Sequence, residues 1–163
     1  MSKRWQEKPA PFGDRADKFL VPPDAAERMG EKPKPPRLFG RVEASIGNGL
    51  EGYYVVEAPG DGSLVWSFVV GQRAEEEAFE PSAAAWERFW REVDRLDVWS
   101  WAESYEPEGV VMDGTYWSVA LDQGDRRVRS SGANAYPEGD DPGRDFRALC
   151  RALSRLAGGR TFA

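Results

Sequence analysis

PSAAAWERFWREVDRLDVWSW (81–101) holds four of the chain's seven tryptophans. Whether those rings form a binding platform or an interior decides the fold. Pro81 and Ser82 open a helix that runs through Leu96, because Trp86, Phe89, Trp90, Val93 and Leu96 follow the one-face spacing of a 3.6-residue period. Such a helix depends on packing of its apolar stripe, which places Trp86 and Trp90 in the core. VWSW (98–101) is expected to resume as a strand, with Trp99 and Trp101 on one core-facing side and Ser100 on the other. A stacking platform for single-stranded nucleic acid needs aromatics in a positive groove. Residues 75–108 hold eleven Asp/Glu against three Arg, so phosphates would be repelled there and nucleic acid is not the expected partner.

Outward from the helix, the signals are those of strands. LFGRVEASI (38–46), YYVVEA (53–58) and SLVWSFVV (63–70) are rich in β-branched and aromatic residues and separated by Gly-containing turns. GNGLEG (47–52) has the G-x-G-x-x-G spelling of a dinucleotide loop, but that fingerprint needs a following helix N-terminus. A strand follows, so the stretch reads as a hairpin turn. Glu75, Glu76, Glu77 and Glu80 precede the helix, where negative charge is favourable.

On the other side, TYWSVALD (115–122) alternates Thr115, Trp117, Val119 and Leu121 against Tyr116, Ser118, Ala120 and Asp122, and QGD turns the chain into RRVRSS (126–131). A last helix begins near Pro142 with Asp141 as its cap and Gly158-Gly159 as its stop. Its stripe is Phe146, Leu149, Cys150, Leu153 and Leu156, offset by sixty from the first stripe. The hairpins at 53–70 and 115–131 share about that offset, which points to two hairpin-plus-helix halves. The expected fold is α+β: an antiparallel sheet of about five to six strands with two amphipathic helices on one face.

Seven of the twelve prolines lie at or before position 36. Residues 1–37 are therefore expected to form an extended Pro-rich arm, interrupted at most by a helical turn at 24–29. The arm carries Trp5, Phe12, Phe19, Leu20 and Val21, apolar residues suited to docking. Residues 38–163 are read as a single domain. Charge is unevenly spread: residues 1–37 hold nine Lys/Arg and six Asp/Glu, 38–125 five and eighteen, and 126–163 eight and four, giving −6 for the chain.

Histidine is absent, which removes Ser-His and Cys-His nucleophile pairs, imidazole relays and mixed Cys/His zinc sites. Cys150 stands alone, so no intrachain disulfide can form. No apolar run is long enough to span a membrane and the first residues lack a secretory apolar core, so a cytoplasmic location is expected.

The order W-x-x-F-W-x-x-V-D-x-L-D-V-W-S-W (86–101), Tyr105, DGTYW (113–117), GANAYP (132–137) and a final amphipathic helix resembles small uncharacterised bacterial domains of unknown function. In those, a Trp-bearing helix precedes a strand that opens with DG and an aromatic. The likeness covers roughly residues 51–157. It implies an architecture and a bacterial origin, and carries over no functional residues.

Several polar groups stand as candidates for chemistry. EGDDPGRD (138–145) offers Asp140, Asp141 and Asp145 to a hard cation but lacks the spacing of a calcium loop. Cys150 lies on a buried stripe, where a thiol behaves as a small hydrophobe, and RSSGA (129–133) does not match the G-x-S-x-G elbow. The most distinctive feature is basic. Arg144, Arg147, Arg151 and Arg155 line the last helix opposite its apolar stripe, and Arg127 and Arg129 sit two apart on the preceding strand. Side by side, strand and helix would form one positive patch.

These observations give the expectation of a non-enzymatic protein-interaction module without cofactor or metal, contacting another protein through the arm and the arginine face. Two alternatives stay open. One is an acidic inhibitor or immunity-type protein whose negative middle masks a basic target. The other is a histidine-free enzyme using carboxylates or Mg²⁺, which requires a cleft lined by two or more of Asp113, Asp122, Glu103 and Tyr105.

Overall fold

Pairing of the β-branched segments across short glycine turns builds the sheet seen in the computed structural model, which describes residues 38–110 and 112–163. Trp5, Phe12, Phe19, Leu20 and Val21, with the turn at 24–29, lie outside those residues. The chain runs β1 (Arg41–Asn48), β2 (Gly52–Ala58), β3 (Leu64–Val70), β4 (Arg73–Phe79), α1 (Ala83–Arg95), a 3₁₀ turn (Val98–Ser100), β5 (Ser104–Tyr105), β6 (Tyr116–Gln123), β7 (Arg126–Ala133) and α2 (Arg144–Leu156). The strand order is β4-β3-β2-β1-β6-β7-β5, with β5 parallel to β7 and every other pair antiparallel. Both helices pack on one face, giving the expected α+β arrangement. Among the described residues, no helix is long and apolar enough to cross a membrane.

The sheet has seven strands where about five to six were expected, and the secondary structure differs from expectation in two places. The acidic run 75–77 does not lead into α1 but forms β4, paired with β3 from Leu64↔Phe79 to Val70↔Arg73. A two-residue turn with Gly71 at φ 59° makes that hairpin possible. β4 is an edge strand, and consecutive glutamates on an edge oppose pairing with another chain. The opposite edge, β5, is only two residues long.

VWSW is not a strand. Asp97, at φ 51°, enters the left-handed region and the chain closes a 3₁₀ turn, with Ser100 N–H donating to Asp97 C=O and Trp101 N–H to Val98 C=O. Trp99 and Trp101 therefore diverge. Trp99 stacks on Trp90 at 6.1 Å, while Trp101 meets Trp117 at 6.2 Å and Phe146 at 6.3 Å.

Each helix follows a hairpin, so the hairpin-plus-helix order holds in both halves. The hairpin leading into α1 is β3–β4, however, and not the 53–70 pair that carries the sixty-residue offset.

Trp86, Trp90, Trp66 and Trp117 are buried, with Trp86 fully so. Burying an indole strands its N–H unless an acceptor is supplied. Trp86 donates to Gly62 C=O (3.1 Å), Trp90 to Leu38 C=O (2.9 Å), Trp66 to Thr161 C=O (2.7 Å) and Trp117 to Ala135 C=O (2.8 Å). The tryptophans thus both fill the core and tie loops to it. The Trp117 bond requires glycine at position 132, where a Cβ would lie 2.2 Å from Ala135 C=O and 2.6 Å from Trp117 Nε1. Asn134, at φ 47°, accepts Thr115 N–H on its side-chain oxygen at 2.8 Å. DGTYW and GANAYP are accordingly spent on one another.

The helices begin differently. Ser82 caps α1 by accepting Ala85 N–H at 3.1 Å. At α2 the expected cap Asp141 is displaced. Gly143 occupies the cap position with no side-chain bond, and the Glu138 carboxylate accepts Asp145 N–H at 3.1 Å. A Cβ at position 143 would collide with Glu138, so glycine admits this substitute.

Candidate interface on the helix layer

α2 turns Leu149, Leu153 and Leu156 inward, which by helical periodicity sends Arg144, Arg147, Arg151 and Arg155 to the exposed side. The expected companions Arg127 and Arg129 do not join them. On β7, Val128 and Ser130 are buried toward the helices, so period-two alternation puts both arginines on the open face of the sheet. There they converge on Asp122, with Arg127 Nε at 2.8 Å and an Arg129 guanidinium nitrogen at 2.9 Å. Partial burial alone would raise the Asp122 carboxyl, but the hydrogen bonds and charges of Arg129 and Arg127 outweigh it and hold it below the usual carboxylate range. This pair is an intramolecular clamp on the face away from the helices.

The partners of α2 come instead from α1, which packs beside it. Arg88, Arg91 and Arg95 are exposed on α1, and Arg88 and Arg155 border the same groove between the helices. Together the helices present seven arginines against four acids, Glu87, Glu92, Asp94 and Asp145. Arg95 pairs with Glu92 and Arg144 with Asp145. Among the described residues, no carboxylate lies within 4.0 Å of Arg88, Arg91, Arg147, Arg151 or Arg155. The hydrogen bond and charge of Arg95, then the charges of Arg155 and Arg151, hold the Glu92 carboxyl below its ordinary range.

The α1 arginines were submerged in the acidic balance of residues 75–108. A positional signal did exist, since Arg91 and Arg95 stand sixty before Arg151 and Arg155. Arg126, also unforeseen, acts structurally. It pairs with Asp94 at 2.6 Å and lies 4.5 Å over the Trp99 ring, fastening the β6–β7 turn to the end of α1.

Arg147 and Arg151 also border a cavity of about 440 Å³ between α2, the start of β6 and the residues that follow α2. Its lining is chiefly apolar, from Ile46, Tyr136, Phe146, Cys150 and Phe162. Burial pushes the Cys150 thiol up to about 12, so at neutral pH it is a protonated, unreactive wall. Burial likewise raises the Tyr136 hydroxyl, keeping it neutral. Phe162 is held in place by its N–H, which donates to Ser154 Oγ at 3.0 Å.

The carboxylates weighed for catalysis are not assembled. Asp122, at the end of β6, is engaged by two arginines, and Asp113 precedes the opposite end of that strand and is exposed. Glu103 is exposed, and the Tyr105 hydroxyl accepts Ala102 N–H at 2.9 Å. Among the described residues, no three His, Cys, Asp or Glu side chains are grouped to hold a metal ion. Comparison of the sequence with protein-family models and with curated proteins finds no match, so the arginine layer and its bordering cavity are what define the candidate site.

Proposed function

We propose that the domain is a protein-interaction module that docks an acidic protein surface against the arginines of its helix layer. The observation that carries this reading is the concentration of five arginines without a described carboxylate partner on one surface of a chain with net charge −6. A local positive surface on a negative protein steers one orientation of approach and repels others. A protein partner is favoured over nucleic acid because Glu87, Glu92, Asp94 and Asp145 interrupt the surface and the tryptophans of α1 are turned inward, leaving none of its indoles to stack on a base.

The inhibitor alternative draws less support. Of its acidic run, Glu75 and Glu77 already face Arg160, and the run as a whole guards a sheet edge. A labelled poly-glutamate peptide, titrated into the full chain, tests the proposal. Binding that weakens as salt rises and is lost in Arg88→Glu/Arg91→Glu/Arg155→Glu is the expected result. Unchanged binding in that triple variant overturns it, and tighter capture of a DNA strand of equal charge would replace the protein partner by a nucleic acid.

A further inference from the structure

The cavity beside α2 combines two features that a packing defect does not require. Its walls are apolar, from Ile46, Tyr136, Phe146 and Phe162, and its volume of about 440 Å³ lies within the range of pockets that enclose small ligands, about 300–1,000 Å³. Its border carries Arg147 and Arg151, one helical turn apart and both exposed, with no described carboxylate within 4.0 Å. Two guanidiniums at i and i+4 lie on one side of a helix, close enough to hold a single carboxylate between them. Of the other polar side chains at the wall, Thr115, Ser154 and the Tyr136 hydroxyl are uncharged, and Ala163 also borders the cavity. The Cys150 thiol stays protonated at neutral pH, so no side chain of the interior opposes an anion with a charge of its own.

We infer that this cavity is a binding site for an amphipathic monocarboxylate, a molecule with an unbranched or aromatic apolar body and one carboxylate head. The body enters between Phe146, Tyr136 and Phe162 while the head stays at the border, hydrogen-bonded by Arg147 and Arg151. Burial of apolar surface supplies most of the affinity, and the paired guanidiniums select anion over cation. A long-chain cation would leave its head against two positive charges, and a short carboxylate such as acetate would leave the walls uncovered. Arg147 and Arg151 are shared with the proposed protein interface, but binding in the cavity does not depend on that interface. Arg88 and Arg91 belong to the interface alone.

Decanoate, used below its micellar concentration, is the probe. Trp117 supplies an intrinsic reporter, since its ring lies 4.9 Å from Phe146 and 6.2 Å from Tyr136, both of them wall residues. Titration of the full chain is expected to give saturable one-to-one binding by calorimetry together with a shift in tryptophan emission. Decyltrimethylammonium should bind at least about tenfold more weakly, because a charged hydrogen-bonded head contributes on the order of 1.5 kcal/mol or more. Arg147→Gln/Arg151→Gln should weaken decanoate by a similar factor with little change in thermal unfolding, as both side chains are exposed.

Cys150→Leu, which enlarges a wall residue into the cavity, should weaken binding while the protein still unfolds cooperatively. Thr115→Leu offers a second filling variant should the first not fold. Equal affinity for decanoate and the cationic chain overturns the inference, as does unaltered decanoate binding in a folded filling variant. Arg88→Glu/Arg91→Glu separates the two readings: it should weaken poly-glutamate capture and leave decanoate binding intact.

Discussion

The two helices have the same length and cover the same sheet, yet they are built on opposite principles. α1 inserts Trp86, Phe89, Trp90 and Val93, and its rings lock together, with Trp86 stacked on Trp90 at 6.1 Å and Phe89 against Trp90 at 4.9 Å. α2 buries leucines with Ala148, Cys150 and Ala152, and Phe146 alone supplies a ring. Bulky side chains in fixed contact leave little adaptable space, whereas Cys150 and Ser154 beside Phe146 border a cavity. The outward faces differ as well. α1 mixes acids with its arginines, and α2 carries four arginines and a single acid, Asp145. Cohesion is concentrated in α1 and the potential for recognition in α2.

Substitutions that treat the helices alike would break that contrast. The largest effect is expected from Trp86→Ala. It removes a fully buried indole and its bond to Gly62, and should cost about 3–5 kcal/mol in urea unfolding. An enlarging change in α1, Val93→Phe, is expected to cost about 1–3 kcal/mol by overpacking. Cys150→Leu on α2 should cost less, since its side chain lines the cavity. Equal costs for the two enlargements would show that the α2 side is as tightly filled as the α1 side.

Next comes the cap. Ser82→Ala should destabilise by about 1 kcal/mol, while Glu138→Ala, which removes a remote substitute from α2, should cost less. Chemical denaturation of both variants measures the difference.

The smallest effect concerns the open face. Because the folded carboxyl of Asp122 is held below its ordinary range, its contribution is present above the unfolded value, about 3.9, and is lost as pH falls through the lower folded value. With exposed arginines as partners, the pair is worth up to about 1 kcal/mol. Asp122→Asn should lose that amount at neutral pH and show a correspondingly flatter fall in urea midpoint on acidification. A variant that parallels the parent at every pH would show that the clamp contributes nothing.

Much of the architecture was legible because its signals are local. The stripe 86, 89, 90, 93, 96 needs only one helix to make sense, and so do the hairpin at 47–52 and the alternation of 115–122. β4 was hidden because RAEEEAF has only one large apolar residue, Phe79, and no alternation to betray a strand: its place comes from backbone pairing with β3. VWSW misled because period-two spacing over four residues does not distinguish a strand from a turn, and the left-handed Asp97 decided for the turn. At the candidate site, the parity of Arg127 and Arg129 set them opposite Val128 without saying which face that was. Settling that required knowing which side the helices cover.

By itself, the sequence determined the α+β class, the burial of Trp86, Trp90 and Cys150 and the outward arginines of α2, since each follows from spacing within one element. Only the tertiary structure decided that Arg88 lies beside Arg155, that Arg127 and Arg129 serve Asp122, and that Ile46, Tyr136, Phe146 and Phe162 line a cavity with Arg147 and Arg151 at its border. Those groups are far apart in the chain, and their meeting depends on sheet register and helix packing, which no local period encodes.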